Sequence, residues 1–304
     1  MVIGIDLGGT NIHAGVVDND GNIIDYVAWP YSKGECDVVM GAVVETVLGL
    51  KKKYPEAKRA GLVSAGQVDR KRGLLLYPVN IQGLTEVPVV EILQERTGLV
   101  LFCENDAVGA TLAEGWVGMA ASSSTFITVT LGTGVGTGAV LHNKVVHGGL
   151  NLGCEWGHIA MGFDSVYRCG CGNFGCIETF CSATALANIA ISDGLEVKTA
   201  RDVCLLASSG NALALRVLEK YSSYLGIALY NYTIILNPEV IIIAGGLSKS
   251  SELFLGKAIE KLREMLRSRP YMFPPKGITS STFPDHAGVL GAAYLCMEKG
   301  RIII

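Results

Sequence analysis

Charge is scarce in this 304-residue chain. Asp, Glu, Lys and Arg make up 17% of it and nearly cancel, at a net −3, with no long basic run. The electrostatic footprint that a nucleic-acid backbone demands is therefore missing, and no nucleic-acid partner is expected. A secretory leader is missing too: Met1-Val2-Ile3 enters an apolar strand with no basic region or small-residue cleavage site ahead of it, so a cytoplasmic location is expected. Residues 115–143 hold no Asp, Glu, Lys or Arg, a span long enough to cross a bilayer as helix. Ser122-Ser123-Ser124 and the glycines at 132, 134, 136 and 138 break such a helix, and Phe126 to Leu131 reads as a β-run ending in a Gly-rich turn. No membrane partner is expected.

What is plentiful is apolar surface and glycine: 49% hydrophobic residues and 38 glycines. A chain this long and apolar is neither disordered nor a disulfide mini-protein, and its length suits two domains or one large α/β unit. Nine cysteines in a chain of cytosolic character point to metal or core roles before disulfides.

The chain repeats itself. At a constant offset, Ile3-Gly-Ile-Asp-Leu-Gly-Gly-Thr10 falls on Ile127-Thr-Val-Thr-Leu-Gly-Thr-Gly134, and Ala14-Gly-Val-Val-Asp-Asn19 falls on Gly138-Ala-Val-Leu-His-Asn143. Each copy is an apolar strand, a glycine turn, a second strand and a polar hairpin, which predicts two related half-molecules. Glycine turns aim several N–H groups at one point, so two of them would grip a polyphosphate; two ordinary tight hairpins are the plainer alternative. Between the copies, strands are expected at Gly61 to Val63 and Leu99 to Cys103. Helices are expected from Pro88 to Arg96, stopped by Gly98, and from Ala107 to Met119. The second half predicts a long helix from Asn211 to Leu236, strand Val240 to Ala244, helix Glu252 to Arg267, strand Ile278 to Phe283 and a closing helix from Gly288 to Glu298. The fold class is mixed α/β, with ligand loops at strand ends.

Glu104-Asn105-Asp106 follows a buried strand and opens a helix, placing Asp106 at a strand's carboxyl end. Asp106 is either a helix cap or a base that accepts a substrate hydroxyl proton. The densest signal is His158 with Cys169, Cys171 and Cys176, three thiols and an imidazole within nineteen residues. Cys₃His is a tetrahedral zinc set, and the glycines at 170, 172 and 175 let a short loop turn around the ion; buried unligated thiols or an iron-sulfur cluster are the alternatives. Glu155 precedes His158 by three residues and Glu178 follows Cys176 by two, so a bound zinc would fix two carboxylates able to accept the hydroxyls of a polyhydroxylated substrate; salt-bridged or solvated glutamates are the plainer alternative.

Together, Asp6-Leu-Gly-Gly-Thr10, Glu104-Asn-Asp106, Leu131-Gly-Thr-Gly-Val-Gly136, Gly153-Cys-Glu-Trp-Gly-His158, Cys169-Gly-Cys-Gly-Asn-Phe-Gly-Cys-Ile-Glu178 and Ile243-Ala-Gly-Gly-Leu-Ser248 resemble the ROK family of sugar kinases, in family order from Ile3 to about Leu295. The resemblance implies an actin-like ATPase (ribonuclease H-like) fold of two α/β lobes with an interlobe cleft. Residues 1–117 with 288–304 would form the N-terminal lobe, and 118–287 the C-terminal lobe with the zinc loop. It implies ATP, Mg²⁺ and structural Zn²⁺ as cofactors. Asp6 would help place Mg²⁺ and the phosphates, Gly8, Gly9, Thr10, Gly132, Thr133 and Gly134 would contact phosphate oxygens, and Gly245 and Gly246 would lie along the adenosine. Asp106 would be the base. Asn105, Glu155, His158 and Glu178 would hold the sugar ring, His158 serving zinc as well. A homodimer or homotetramer is also implied by the resemblance.

The sequence departs from the family at the sugar-side loops, with Ser64-Ala65-Gly66-Gln67 where a Pro-Gly pair is usual and Asn80-Ile-Gln-Gly83-Leu84 where Asn-Leu-x-Trp is frequent. Gly66 and Asn80 are expected at the sugar. Ala244, Thr137 and Ala183 each replace a usual glycine. The expected activity is phosphorylation of a hexose primary hydroxyl, glucose or a near relative. An N-acetylhexosamine kinase is the second reading, followed by a binding-only sugar sensor; a transcriptional regulator is disfavoured because the phosphate motif begins at Asp6.

Overall fold

The computed structural model describes residues 1–31, 34–78, 81–82, 84–162, 167–297, 300 and 302–304. The chain divides into two units, Met1–Ser122 with Asn143–Cys154 and Asp285–Ile304, and Ser123–His142 with Glu155–Pro284. Residues 143–154 thus interrupt the second unit in sequence while belonging to the first.

In the first unit, β1 (Val2–Leu7), β2 (Asn11–Val17) and β3 (Ile23–Pro30) form an antiparallel meander, and β4 (Arg59–Ser64) and β8 (Val100–Asn105) join in parallel, in the order β3-β2-β1-β4-β8. A small antiparallel sheet, β5 (Gln67–Asp69), β6 (Leu74–Leu76) and β7 (Glu86–Val87), follows β4. Strand alternation sorts the faces of β1. Ile3, Ile5 and Leu7 join one apolar core with Val39, Met40, Val43 and Val47 of helix α1 (Cys36–Lys53) and with Val89 and Leu93 of α2 (Val89–Thr97). Gly4 and Asp6 take the other face, toward the closing helix α9 (Ala287–Tyr294): a Cβ on Gly4 would overlap the Val289 carbonyl, and one on Gly288 the Asp6 carboxylate. Helix α3 (Asp106–Val117) packs beside α9. Gly98, at φ 65°, ends α2 as the sequence predicts, because a left-handed residue there turns the chain out of the helix.

The second unit repeats the plan. β9 (Phe126–Leu131) and β10 (Val135–Leu141) are an antiparallel pair, β12 (Val240–Ala244) lies parallel to β9, and β13 (Ile278–Ser280) parallel to β12; a short β11 (Lys144–Val145) falls in the residues of the first unit. Helices α4 (Glu178–Cys181), α5 (Ala183–Ser192), α6 (Ala200–Ser208) and α8 (Leu255–Met265) pack around α7 (Ala212–Leu236). Asn211 caps α7 by accepting the N–H groups of Leu213 and Ala214 at 3.0 Å each. The expected helix from Glu252 begins as α8 only at Leu255, after a 3₁₀ stretch over Gly246–Leu253. Among the described residues, no helix is long and apolar enough to cross a membrane.

The repeat is real in register but not at one offset. Leu7 pairs with Ile12 across four turn residues, whereas Leu131 pairs with Val135 across three. Gly15 therefore corresponds to Gly138, each pairing with the second residue of its repeat, Gly4 or Thr128. A constant offset, which sets Ala14 on Gly138, slips the second strand by one residue and would exchange its faces.

Candidate active site

Asp6 and Asp106 come together in the first unit. Both are half-buried, Asp6 near the end of β1 and Asp106 as the first residue of α3. Burial, and after it the Asp106 carboxylate, push Asp6 up to about 7. Burial raises Asp106 as well, opposed by the Ala107 N–H that its Oδ1 accepts at 2.9 Å. Two neighbouring carboxylates that each resist ionisation are an arrangement that a cation would relieve. Gly8, Gly9 and Thr10 form the turn after β1. Its anchor is one that sequence reading missed, the Tyr31 hydroxyl, which donates to the Gly8 carbonyl at 2.7 Å, while the Tyr31 N–H reaches the Thr10 carbonyl at 3.0 Å.

The capping alternative for Asp106 is answered by its neighbour. Asn105 is the cap: its Oδ1 accepts the N–H groups of Ala107 at 2.9 Å and Val108 at 3.2 Å. Its Nδ2 donates to the Gly66 carbonyl at 2.9 Å, fixing the Ser64 to Gln67 loop, which turns at Gly66 with φ 95°. The Asn105 side chain also hydrogen-bonds the Asp106 carboxyl, so it ties the helix start, the Gly66 loop and Asp106 together. Asn80 lies outside the described residues.

In the second unit the turn Gly132-Thr133-Gly134 is held from below. Gly132 accepts the Ala183 N–H at 2.8 Å, Thr133 accepts the Thr184 hydroxyl at 2.8 Å, and Val135 donates its N–H to Glu178 Oε2 at 3.0 Å. A Cβ on Gly134 would overlap that same Glu178 oxygen, so a side chain there would have to push the Glu178 carboxylate off the Val135 N–H. Gly245, at φ 80°, lies against the end of the same strand: a Cβ on it would stand 2.7 Å from the Leu131 carbonyl oxygen. Gly246 opens the 3₁₀ stretch beside it.

His158, Cys169, Cys171 and Cys176 converge, with one donor atom from each lying within 4.8 Å of all the others. Cys171 Sγ and Cys176 Sγ are 3.7 Å apart, and Cys169 Sγ is 3.4 Å from His158 Nδ1. Tetrahedral bonds of about 2.3 Å to sulfur and about 2.0 Å to nitrogen require about 3.8 Å between sulfurs and about 3.5 Å between sulfur and nitrogen. The residues therefore fit a zinc ion. The other ring nitrogen of His158, Nε2, lies 3.7 Å from Glu155 Oε2, and Glu178 Oε1 lies 3.2 Å from Cys169 Sγ. Both carboxylates stand beside the thiol cluster, as their spacing in the chain suggested.

Thr137, in place of a usual glycine, is 4% exposed, and its hydroxyl accepts the Trp156 N–H at 3.2 Å. Its effect thus falls on the Glu155 to His158 turn. Another feature missed in the sequence is His147, 43 residues from its partner Glu104 at 2.8 Å. A histidine in a Gly-rich loop gives no local sign of that contact.

The comparisons agree over nearly the whole chain. A family model described as ROK family matches residues 2–299. A glucokinase of Thermotoga maritima is 31% identical, with 98% of each chain covered. An N-acetyl-D-glucosamine kinase of Haemophilus influenzae is 28% identical over 98% of this chain and all of that one. The crystal structure of a ROK family glucokinase from Streptomyces griseus, in complex with glucose and AMPPNP, superposes with a TM-score of 0.85 at 28% identity, covering 97% of this chain and 98% of that one.

Proposed function

The chain belongs to the ROK family, whose solved sugar kinases share its actin-like ATPase fold, and we propose on that footing that it is an ATP-dependent hexose kinase of the glucokinase type. The observation that carries the reading is the pair Asp6 and Asp106, which come together in the first unit from the ends of β1 and β8, the two strands that flank β4.

Asp106 is the base. As the sugar's primary hydroxyl oxygen bonds to the γ-phosphorus, its proton passes to the Asp106 carboxylate. The bond from the γ-phosphorus to the β,γ-bridging oxygen breaks, and ADP departs with the electron pair. A base whose affinity for the proton is raised toward working pH suits this transfer. Mg²⁺ bound with ATP would supply charge neutralisation, and Asp6 would help to hold it. Gly8 to Thr10 and Gly132 to Gly134 offer backbone N–H groups to phosphate oxygens, and Gly245 and Gly246 offer a surface without side chains to the nucleoside. Gly66, Asn80, Asn105, Glu155, His158 and Glu178 bind the sugar. Zn²⁺ on His158 Nδ1, Cys169, Cys171 and Cys176 would be structural, leaving His158 Nε2 to donate to a sugar hydroxyl.

An N-acetylhexosamine is the second candidate substrate, favoured by the similarity to an N-acetyl-D-glucosamine kinase and by Gln67 and Leu84 in the altered loops. The test is Mg-ATP-dependent ADP formation over glucose, mannose, fructose, allose, N-acetylglucosamine and N-acetylmannosamine, with Asp106→Ala beside wild type. One sugar should give turnover that falls about 10²- to 10⁴-fold in the variant while sugar affinity persists. Turnover surviving the substitution would refute the assignment of the base.

A further inference from the structure

Asp106 is the third residue of Glu104-Asn105-Asp106, and Glu104 is only 3% exposed. A buried carboxylate is costly unless its lone pairs are met. Glu104 Oε1 accepts the N–H of Asn105 at 2.9 Å. Oε2 receives His147 Nε2 at 2.8 Å and Arg70 Nε at 3.4 Å. Opposite a carboxylate, that imidazole nitrogen must carry the proton.

Both donors come from loops that are themselves tied down. Arg70 opens the turn from β5 to β6, where Asp69 Oδ1 accepts the N–H groups of Lys71 at 3.2 Å and Arg72 at 3.1 Å. His147 lies in a loop closed on itself by Gly153 N–H on the His147 carbonyl at 2.7 Å and by Cys154 Sγ on the Val146 carbonyl at 3.0 Å. Two separate segments of the first unit thus converge on one side chain, and that side chain holds the peptide that leads into Asp106. Downstream, Asn105 caps α3 and pins Gly66, so a shift at Glu104 would be passed to the base and to the sugar-side loop together.

We propose that His147, assisted by Arg70, is a positioning residue for Asp106, acting through Glu104. The inference rests on the reading of Asp106 as the base. Neither residue touches the reacting atoms, so the loss should appear in kcat and not in nucleotide binding. Misplacing a catalytic group by about 1 Å costs on the order of 10²-fold.

The experiment measures kcat, both KM values and melting temperature for His147→Ala, His147→Gln, His147→Asn and Asp106→Ala. We expect His147→Ala to lose roughly ten- to a hundredfold in kcat with KM for ATP within about twofold of wild type. His147→Gln, whose amide can reach the place of the imidazole Nε2, should recover most of the loss; the shorter His147→Asn should not. Should the alanine variant fail to fold, the Gln and Asn pair carries the test. Equal kcat in that pair, or wild-type kcat in His147→Ala, would overturn the proposal. So would a uniform rise in both KM values with a matching loss of melting temperature, which marks a folding role. Full activity in Asp106→Ala would bring down the base assignment, and this inference with it, whereas an inactive Asp106→Ala beside an unaffected His147→Ala removes this inference alone.

Discussion

The two halves are built on one plan, and their strand ends carry different chemistry. In the first, β1, β4 and β8 end at Asp6-Leu7, Ser64 and Asn105-Asp106. Carried across by the pairing of β9, β12 and β13, Asp6 corresponds to Thr130, Ser64 to Gly245, and Asp106 to Phe283. One half places carboxylates at its strand ends. The other places a hydroxyl, a glycine and an aromatic ring there, and adds a thiol cluster that the first lacks among the described residues. The repeat supplies a backbone that presents strand ends in both halves; on the proposed reading the side chains divide the labour, with acid-base chemistry in the first half and a loop that a metal would brace in the second.

The strongest way to break that division is to remove the brace. Cys169→Ser, or chelation of the metal, should release zinc, disorder the segment from Gly153 to Ser182 and weaken sugar binding about tenfold or more, while leaving Asp6 and Asp106 untouched. Metal analysis beside sugar KM and ATP KM reads the outcome. Active protein without zinc would show that the second half holds its carboxylates unaided.

A narrower test sets one glycine turn against the other. Gly134 has a Glu178 oxygen where its Cβ would go, whereas nothing stands within 4 Å of a Cβ on Gly9. Gly134→Ala should therefore cost about 1–3 kcal/mol of stability, and Gly9→Ala within about 0.5 kcal/mol. Thermal unfolding of the unliganded variants gives both values. If Gly9→Ala then raises KM for ATP without destabilising the protein, the phosphates are located at that turn by function alone. Equal destabilisation of both would show that the turns are not packed as different in kind.

Much of the plan could be read from sequence where the signal is local. β9 and β12 have the expected ends, Gly98 stops α2, and the four metal-ligand candidates meet. Helix α1, Cys36–Lys53, was not anticipated: its valines favour strand and Gly41 and Gly49 weaken helix, although Val39, Val43, Val47 and Leu50 recur at helical spacing. Burial against β1 and β2 outweighed local preference. The one-residue difference between the two turns was hidden because repeated glycines match equally well at either offset. His147 and Thr137 act through partners distant in the chain, and a single sequence carries no record of such pairs.

The smallest contrast lies at the start of the parallel strands. Lys58 and Glu239 hold matching places, and the carbonyl of each accepts the first N–H of the next parallel segment, from Val100 at 3.0 Å and from Lys276 at 2.9 Å. Their side chains differ in what they tie. Lys58 Nζ reaches the nearby Pro55 carbonyl at 2.7 Å. Glu239 Oε1 accepts the N–H of Ser124 at 2.7 Å, its hydroxyl at 2.9 Å and the N–H of Thr125 at 3.0 Å, while Oε2 meets Lys276 at 3.1 Å. Partial burial works against its charge, yet these donors prevail and hold the carboxyl down at about 2, against an ordinary 4.5. As pH falls, the unfolded chain takes up this proton first, so the stabilisation is complete above about pH 4.5 and drains away toward pH 2. The side chain is 31% exposed, and its contribution, discounted for solvent screening, is on the order of 1–3 kcal/mol. Glu239→Gln should therefore cost that much at pH 7 and progressively less below pH 4.5, whereas Lys58→Gln should cost little at either. Urea unfolding of both variants at pH 7 and pH 3.5 decides it: an equal loss for Glu239→Gln at the two pH values would mean that packing, and not the ionised carboxylate, ties this strand in place.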